Sequence, residues 1–312
     1  LKKSCQSIIC AGRESGTATF LSQESLSMQT SEVIRTRDGQ QLTLTFYRPE
    51  ASGGQVLVIG PGASEGQIFY HDFAQYCAER TGPVVTFDYR GIGLSGPGHP
   101  KGVEATLMQW ANHDLDAVLL FVKKKFPEKE LVLLGHGLSG QIAGLAPASQ
   151  YIRRLILLNS ALSCWRLWPF RSQLHIFVLK IAGPIVSSLN GYFPGKRLGY
   201  FQDLPAGVVN EWSDWCNHPN GLFDIFPDSN YRKLDIPLLA LSFSDDWYAP
   251  PRAVKALLRH YSSARQQWRH LTPEQFDIPE VGHDGFFTPT CRQLWQIVPE
   301  WMAEAHPVLP SR

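Results

Sequence analysis

Residues 131–144, LVLLGHGLSGQIAG, form the segment of this chain with the most chemical information. An apolar run leads into a turn of small residues, and apolar residues at helical spacing follow, so the pattern predicts a buried strand, a tight turn and a helix. A sharp turn of this kind can present a nucleophilic side chain at its apex. The residue at the predicted apex is Gly137, which has no side chain, and the nearest hydroxyl belongs to Ser139.

A second candidate for chemistry is His283, one of 10 histidines in the chain. It lies in the segment GHDGFF, in a loop that follows a predicted strand and that has glycine on both sides. Such a loop lets an imidazole swing over a site, where it can take and return a proton near neutral pH. No other histidine in the chain has so suitable a context.

The elements that must position these residues alternate along the chain. A hairpin is predicted around Asp38-Gly39, because apolar and polar residues alternate on both sides of that turn. Strand patterns then occur within residues 52–66, 83–96, 131–134, 152–161, 236–250 and 268–287, and helical patterns within residues 71–82, 107–127, 251–261 and 292–305. This alternation predicts an α/β fold with a mainly parallel sheet of about eight strands and helices on both faces.

The same patterns predict a division of the chain. Residues 1–26 are rich in Ser, Gly and Thr and are expected to form a loose arm. Residues 27–161 and 236–312 are expected to form the α/β core. Residues 162–235 interrupt the alternation and are too long for an ordinary connection, so we expect a folded cap or lid insertion.

The insertion is aromatic, and four of its tryptophans are Trp165, Trp168, Trp212 and Trp215. Within it, residues 174–189, LHIFVLKIAGPIVSSL, are mostly apolar but contain Lys180 and a Gly183-Pro184 break. A cap helix packed over a pocket is the favoured interpretation, and a helix lying on a membrane surface is the alternative. No segment is expected to reach the length of a transmembrane helix, so no integral membrane segment is predicted.

The order of these parts resembles the α/β-hydrolase superfamily over roughly residues 30–305. The likeness is greatest to a bacterial subgroup of hydrolases that carry a DYRGIG segment, here residues 88–93, and a G-H-x-G-F-F segment, here residues 282–287. Each motif alone is moderately specific. Their order, with a strand–turn–helix between them and an Asp-rich strand end before the histidine, implies the α/β-hydrolase fold.

The resemblance implies roles for particular residues. The family's histidine maps to His283. Its acid maps to the pair Asp245 and Asp246, and Asp246 is preferred because it stands four residues before Pro250, which opens a predicted helix. A carboxylate there would hold one tautomer of His283 and stabilise its cation. Asp245 would then cap the turn or meet solvent.

The nucleophile of the family maps to Gly137, where its motif has serine. Gly135 and Ser139 supply small flanks, so the backbone could still make the turn, but covalent acyl transfer lacks its attacking oxygen. Ser139 is the less favoured nucleophile, because a shifted motif centred on it would need a small residue where Gln141 stands. An engineered glycine is a further alternative to natural divergence.

The oxyanion hole implied by the family consists of backbone N–H groups, which do not depend on side-chain identity. One donor maps to Leu138, the residue after the nucleophile position. The other maps to the loop GPGAS, residues 60–64, where Ala63 or Gly62 is the expected donor. This site could still polarise a carbonyl group or hold an anion.

Composition narrows the function classes. The chain has 312 residues, and 44% of them are hydrophobic, which predicts a folded core. The formal net charge of +1 predicts no nucleic-acid partner. No nucleotide-binding motif or metal-ligand spacing is present, so neither a cofactor nor a metal is expected. The six cysteines form no C-x-x-C pair, which indicates reduced thiols and a cytoplasmic protein: Cys5, Cys10, Cys77, Cys164, Cys216 and Cys291.

Three functions are compatible with these residues. The favoured one is a hydrolase-like enzyme for an apolar ester, thioester or related acyl compound, in which water activated by His283 replaces the serine. A lyase or isomerase that uses His283 as a base is the second. The third is a non-catalytic protein that binds a small apolar ligand. The sequence leaves the oligomeric state open, a homodimer included.

Overall fold

The computed structural model describes residues 29–48 and 50–305, so the arm expected at residues 1–26 lies outside the described residues. Its main sheet has eight strands in the order β1-β2-β4-β3-β5-β6-β9-β10, and a short second sheet pairs β7 with β8. The strands are β1 (Gln29–Arg35), β2 (Gln41–Tyr47), β3 (Gln55–Gly60), β4 (Val84–Phe87), β5 (Glu130–His136), β6 (Ile152–Leu158), β7 (Tyr192–Phe193), β8 (Leu204–Pro205), β9 (Pro237–Phe243) and β10 (Arg265–Leu271).

The main sheet is parallel except at one edge. β1 and β2 form the expected antiparallel hairpin, β2 also pairs antiparallel with β4, and every other pair of neighbours is parallel. The central strand β5 alternates between two cores, with Leu131 and Leu133 in one and Val132 and Leu134 in the other. A central strand with two buried faces explains the continuous apolar run in the sequence, and the predicted α/β fold is confirmed.

Helices cover both faces. The helices are α1 (His71–Thr81), α2 (Asp116–Lys125), α3 (Leu138–Ile142), α4 (Phe170–Asn190), α5 (Ala206–Asn217), α6 (Pro251–Leu258) and α7 (Ile297–Ala303). A turn of α-helix (Leu107–Gln109) and a π-helical segment (Trp110–Leu115) lead directly into α2. α1 and α7 contribute to one core, while α2 and α6 contribute to the other.

The turn between β5 and α3 depends on very close packing of small residues. A Cβ atom on Gly135 would lie 2.5 Å from the backbone of Gly140, and one on Gly140 would lie 2.0 Å from Ser160 Oγ. A Cβ atom on Gly60, at the end of β3, would lie 2.9 Å from Ser139 Cβ. Larger residues at these positions would push α3 away from the sheet, so the small residues set where the turn stands.

Two side chains of the DYRGIG segment, Asp88 and Arg90, connect neighbouring parts of the fold, and we call these contacts the brace. The Arg90 guanidinium bonds the buried Asp114 from Nε and Nη2, at 2.8 and 2.6 Å, and reaches Asp38 in the β1–β2 turn at 2.5 Å. Asp88 accepts hydrogen bonds from the backbone of Gln67 and Leu94 at 2.6 and 2.8 Å. The segment therefore ties the hairpin, the π-helical segment and the loop after β3 to one strand end.

The segment between β6 and β9 contains α4 and α5, which pack against each other. α4 continues through Pro184, where the sequence predicted a break. Proline cannot donate to the carbonyl of Lys180 four residues earlier, and Ser213 Oγ of α5 donates to that carbonyl instead. Gly183 lets the helices approach, since a Cβ atom there would lie 2.9 Å from Val209 Cγ1. Tertiary contacts thus compensate for the local helix breaker.

The continuous helix overturns one expectation. Within α4, residues Ser172–Asn190 have a mean hydropathy of 1.3 and are long and apolar enough to cross a membrane by length and composition. The expectation that no segment reaches that length is therefore wrong, because the Gly183-Pro184 pair does not end the helix. Only 17% of this window is buried inside the protein.

The brace gives a stability prediction. Replacing Arg90 with methionine leaves the carboxylate of Asp114, which is 0% exposed, without its charge partner. We expect a loss of about 3–5 kcal/mol in the free energy of unfolding, measured by urea denaturation. The matched control is Lys125→Met, which removes the part-exposed pair with Glu32 and should cost about 1 kcal/mol or less. Equal losses in the two variants would contradict this account.

Candidate active site

Gly137 stands at the apex of the turn, immediately before α3. Its backbone dihedrals, φ 50° and ψ −110°, are ones that side-chain-bearing residues rarely adopt. A Cβ atom on Gly137 would lie 3.0 Å from His283 Nε2 and 3.6 Å from its Cε1. The structure therefore places the imidazole directly over the position to which the resemblance assigned the nucleophile.

Asp246 holds the other side of the His283 ring. The distance between His283 Nδ1 and Asp246 Oδ2 is 2.9 Å, and the Asp246 side chain is fully buried. The second oxygen, Oδ1, accepts hydrogen bonds from the backbone N–H groups of Tyr248 and Ala249 at 2.8 and 3.1 Å. Burial lowers the pKa of His283, but the charge and hydrogen bond of Asp246 outweigh it and raise the pKa to about 9.

Asp245 is exposed to solvent, which was one of the two alternatives from the sequence, and it also anchors a loop. Its Oδ2 accepts from the N–H groups of Val281 and Gly282, at 2.8 and 2.9 Å, and so anchors the loop just before His283. Asn159, at the end of β6, donates to the carbonyl of His283 at 2.6 Å and has a positive φ of 51°. Sequence reasoning missed Asn159, since a lone asparagine after a strand carries no distinctive pattern.

Ser139 does not face His283. Its hydroxyl is 0% exposed, donates to the carbonyl of Pro61 at 2.5 Å and lies 2.7 Å from the hydroxyl of Tyr89. Ser139 therefore holds the loop after β3 against the turn. This placement agrees with the lower rank that the sequence gave it as a nucleophile.

The two expected donor segments of an oxyanion hole meet beside Gly137. Leu138 and Ala63 both line the adjoining cavity, and their N–H groups meet no acceptor among the described residues. The N–H of Gly62 instead donates to the hydroxyl of Tyr70 at 2.8 Å. The sequence left Ala63 and Gly62 as alternative donors. In the structure the N–H of Ala63 is free to donate to a ligand, whereas the N–H of Gly62 is already bonded to Tyr70.

Glu65 is a buried carboxyl group that the sequence analysis did not identify. It is 4% exposed, lines the same cavity and accepts a hydrogen bond from Ser64 Oγ. Its Oε2 lies over Gly62, where a Cβ atom would come within 1.9 Å. Burial raises the pKa of Glu65 to about 7, and the charge of Asp284 acts in the same direction. The only signal in the sequence is a carboxylate next to the glycine-rich loop.

His136 completes the buried polar groups. It is 0% exposed, accepts from Tyr70 through Nδ1 at 2.8 Å and donates from Nε2 to the carbonyl of His283 at 3.1 Å. Burial holds its pKa well below the usual histidine range, so it is neutral. Ligand atoms of His136, His283 and Asp284 lie within 4.8 Å of one another, but the nitrogen atoms of His136 are both engaged in these hydrogen bonds.

A cavity of about 500 Å³ opens onto this constellation. Gly137, His283 and Asp284 are among its lining residues, and residues of the segment between β6 and β9 form much of the remainder. The apolar lining residues from that segment include Trp168, Leu179, Phe193, Leu204, Val208 and Trp212. A largely apolar cavity with a few polar groups suits a molecule with an apolar tail and one polar centre.

Sequence comparison relates the chain to a family. The family model described as the alpha/beta hydrolase family matches residues 56–292, which is more than half of the chain. No curated protein matches the chain by sequence.

Solved structures show the same fold at low identity. A soluble variant of monoglyceride lipase from Saccharomyces cerevisiae is 15% identical with a TM-score of 0.64, covering 92% of this chain and 98% of that one. The esterase Pf2001 from Pyrococcus furiosus is 12% identical with a TM-score of 0.59, covering 92% and 95%. A thermophilic esterase from Thermogutta terrifontis is 15% identical with a TM-score of 0.57, covering 88% and 98%.

The His283–Asp246 pair gives a pH prediction. In Asp246→Asn the charge that raises the pKa of His283 is lost while burial remains, so the pKa should fall from about 9 toward or below the ordinary value of about 6.5. An NMR titration of the His283 ring measures it. Asp245→Asn is the matched control, because its side chain can still accept from the loop N–H groups, and it should move this pKa much less. An unchanged titration in Asp246→Asn would refute the assignment.

Proposed function

The chain belongs to the alpha/beta hydrolase family, and from this premise we propose that it is a hydrolase-like enzyme for an apolar acyl compound of the ester or thioester type. In this proposal His283 and Asp246 form the acid–base pair. The N–H groups of Leu138 and Ala63 form the oxyanion hole. Gly137 marks the nucleophile position, and water supplies the attacking oxygen.

One observation carries the proposal. His283 Nε2 lies 3.0 Å from the Cβ position of Gly137, while Nδ1 of the same ring is 2.9 Å from the buried Asp246. Apart from the His283 ring and the residues next to Gly137 in the chain, no described atom lies within 4 Å of that Cβ position. A water molecule held in front of the Gly137 Cα atom, in the space that a serine hydroxyl would occupy, would contact the proton acceptor directly, as general-base catalysis requires.

The steps follow from these positions. A carbonyl oxygen of the substrate accepts hydrogen bonds from Leu138 and Ala63, and His283 Nε2 takes a proton from water as its oxygen bonds to the carbonyl carbon. The negative charge that develops on the carbonyl oxygen is stabilised by the two N–H groups. Collapse of the tetrahedral intermediate breaks the bond to the leaving group, which receives the proton from His283. The products are a carboxylic acid and an alcohol or thiol.

This route lacks a covalent stage. A nucleophilic serine divides one difficult step into two easier ones, and direct attack by water lacks this advantage. Positioning of the water and preorganised N–H donors still contribute to the rate, because neither depends on a side chain at Gly137. We expect turnover that is slower than in relatives with a serine at the same position.

Glu65 contributes in its neutral form in this proposal. A carboxylate beside the oxyanion hole would oppose the negative charge that forms there, whereas a protonated carboxyl adds a donor. Its burial and its position over Gly62 support the neutral form, since burial raises its pKa to about 7. Catalysis then needs neutral His283 together with protonated Glu65. Because the pKa of His283 (about 9) lies above that of Glu65 (about 7), this combination is a minor form at every pH, and activity rises to a plateau near pH 7 and falls above pH 9.

A ligand-binding protein without catalysis is the second candidate function. The absence of a side chain at Gly137 favours it, because the residue that defines the reaction of the family is missing. The buried Asp246 and the orientation of His283 favour the enzyme, since binding an apolar ligand gives no reason for an acid–base pair.

The first functional prediction restores the missing oxygen. Gly137→Ser should produce esterase activity with a burst phase on a short p-nitrophenyl ester, because Ser Oγ would stand beside His283 Nε2. The ring would first shift by a few tenths of an ångström from the new Cβ atom, which would otherwise lie 3.0 Å away. The positive φ at this position should cost about 1–3 kcal/mol of stability. In the native chain, His283→Ala should lower turnover by about 10³-fold.

Stopped-flow absorbance measures the burst, and Gly137→Ala is the matched control, since it adds the same Cβ atom without a hydroxyl. A Gly137→Ser variant that folds but shows no burst would favour the binding protein. Loss of native activity in Ser139→Ala with retained activity in His283→Ala would instead move the nucleophile to Ser139.

The second functional prediction concerns Glu65. The pH profile of kcat/KM should be bell-shaped, because His283 must be neutral and Glu65 protonated. In Glu65→Gln the amide donates at every pH, so the descending limb should vanish and only a rise with pH should remain. Glu65→Ala, which removes the donor, should lower kcat/KM by about 10-fold or more. A bell-shaped profile that persists in Glu65→Gln would exclude this role.

A further inference from the structure

One face of α4 is apolar and exposed. Seven apolar side chains along the helix are between 39% and 88% exposed. They recur at intervals of three or four residues, so they form one stripe along the helix. We call it the cap stripe, and its residues are Phe170, Leu174, Phe177, Val178, Ile181, Ile185 and Leu189. A contiguous apolar stripe of this length is unusual on a surface that meets only water.

The opposite face of α4 is fixed to the cap. Ile176 and Ser187 are buried, and Gly183 lies against Val209 of α5. Lys180 Nζ donates to Asn217 Oδ1 of α5 and lies 5.0 Å from the centre of the Phe177 ring. Because one side of the helix is packed along its length, α4 is suited to lie in the plane of an apolar surface rather than to cross it.

The segment that contains the cap stripe has an excess of cations, and it is followed directly by Asp203, which accepts a hydrogen bond from the backbone N–H of Lys196 at 2.9 Å. Residues 163–202 contain five Lys or Arg residues and no Asp or Glu. Arg166 precedes α4, while Lys196 and Arg197 follow it, and all three side chains are exposed. An apolar helical face with cations near both ends fits an anionic lipid surface. A second copy of the chain would bring these cations against each other, which disfavours a symmetric dimer through the same face.

The mouth of the active-site cavity adjoins the cap stripe. His175, next to Leu174 in α4, is exposed and also lines the cavity. Leu198 and Phe201 do the same, with exposures of 57% and 49%. Two exposed apolar side chains at the mouth extend the apolar surface from α4 to the entrance of the cavity.

We propose that the cap stripe docks the protein onto an anionic lipid bilayer, with α4 lying in the surface plane and the cavity mouth facing the lipid. Apolar side chains would enter the acyl boundary while the flanking cations meet lipid phosphates. A second part of the proposal rests on the proposed function: the substrate is an acyl lipid that passes from the bilayer into the cavity. The docking itself requires no catalysis.

The test is co-sedimentation of the full chain with vesicles at low salt. Vesicles of phosphatidylcholine mixed with phosphatidylglycerol should bind it, with an affinity at least about tenfold above phosphatidylcholine alone. The triple variant Leu174→Ser, Ile181→Ser and Ile185→Ser should lose at least about tenfold in affinity for the mixed vesicles. The double variant Lys196→Glu and Arg197→Glu should lose the preference for anionic lipid.

Two controls separate docking from other effects. The variant Val33→Ser with Leu94→Ser removes side chains that are 61% and 65% exposed outside the cap, and it should bind vesicles as the unaltered chain does. His283→Ala should also bind normally, so a failure of the proposed reaction leaves this result intact. Circular dichroism establishes that each variant is folded.

Three results would overturn the proposal. The first is no binding of the full chain to mixed vesicles, and the second is equal binding by the triple variant. The third is a dimer, detected by light scattering, that the triple variant converts to a monomer, because the cap stripe would then belong to a second copy.

Discussion

The hydrogen bond between His283 and the buried Asp246 is the interaction on which the site depends. It couples a loop near the C-terminus to the end of β9 and aims the free ring nitrogen at the apex of the β5–α3 turn. Asp245 and Asn159 fix the backbone of the same loop from two neighbouring strand ends. Without the buried carboxylate, the ring would lose both its orientation and the charge that stabilises its cation.

The turn beneath His283 is preserved by packing even though its side chain is missing. Gly135 and Gly140 let α3 approach the sheet, and Ser139 ties the turn to the loop after β3. The donors of an oxyanion hole are main-chain groups, so they remain in place for any residue at Gly137 that can adopt a positive φ. The framework of the family and its nucleophile are thus physically separable.

Several ionisable groups at the site are buried, and burial favours the neutral forms of His136 and Glu65. A neutral His136 lies between Tyr70 and the His283 carbonyl. Glu65 is held toward its neutral form by burial and by Asp284. The cavity that Glu65 and Asp284 line also has many apolar lining residues, and one face of α4 is apolar and exposed.

Local patterns in the sequence determined the strands, the hairpin at Asp38-Gly39, the tight turn at Gly137 and hence the α/β fold, because periodicity and turn chemistry act over a few residues. The resemblance to the family led to His283 through the GHDGFF segment, and to Asp246 through its place four residues before Pro250. Only the tertiary structure decided that α4 passes through Pro184, since Ser213 on another helix supplies the missing donor. It alone brought Glu65 and His136 to the site and engaged Gly62 with Tyr70, because contacts between distant segments leave no periodic trace in the chain.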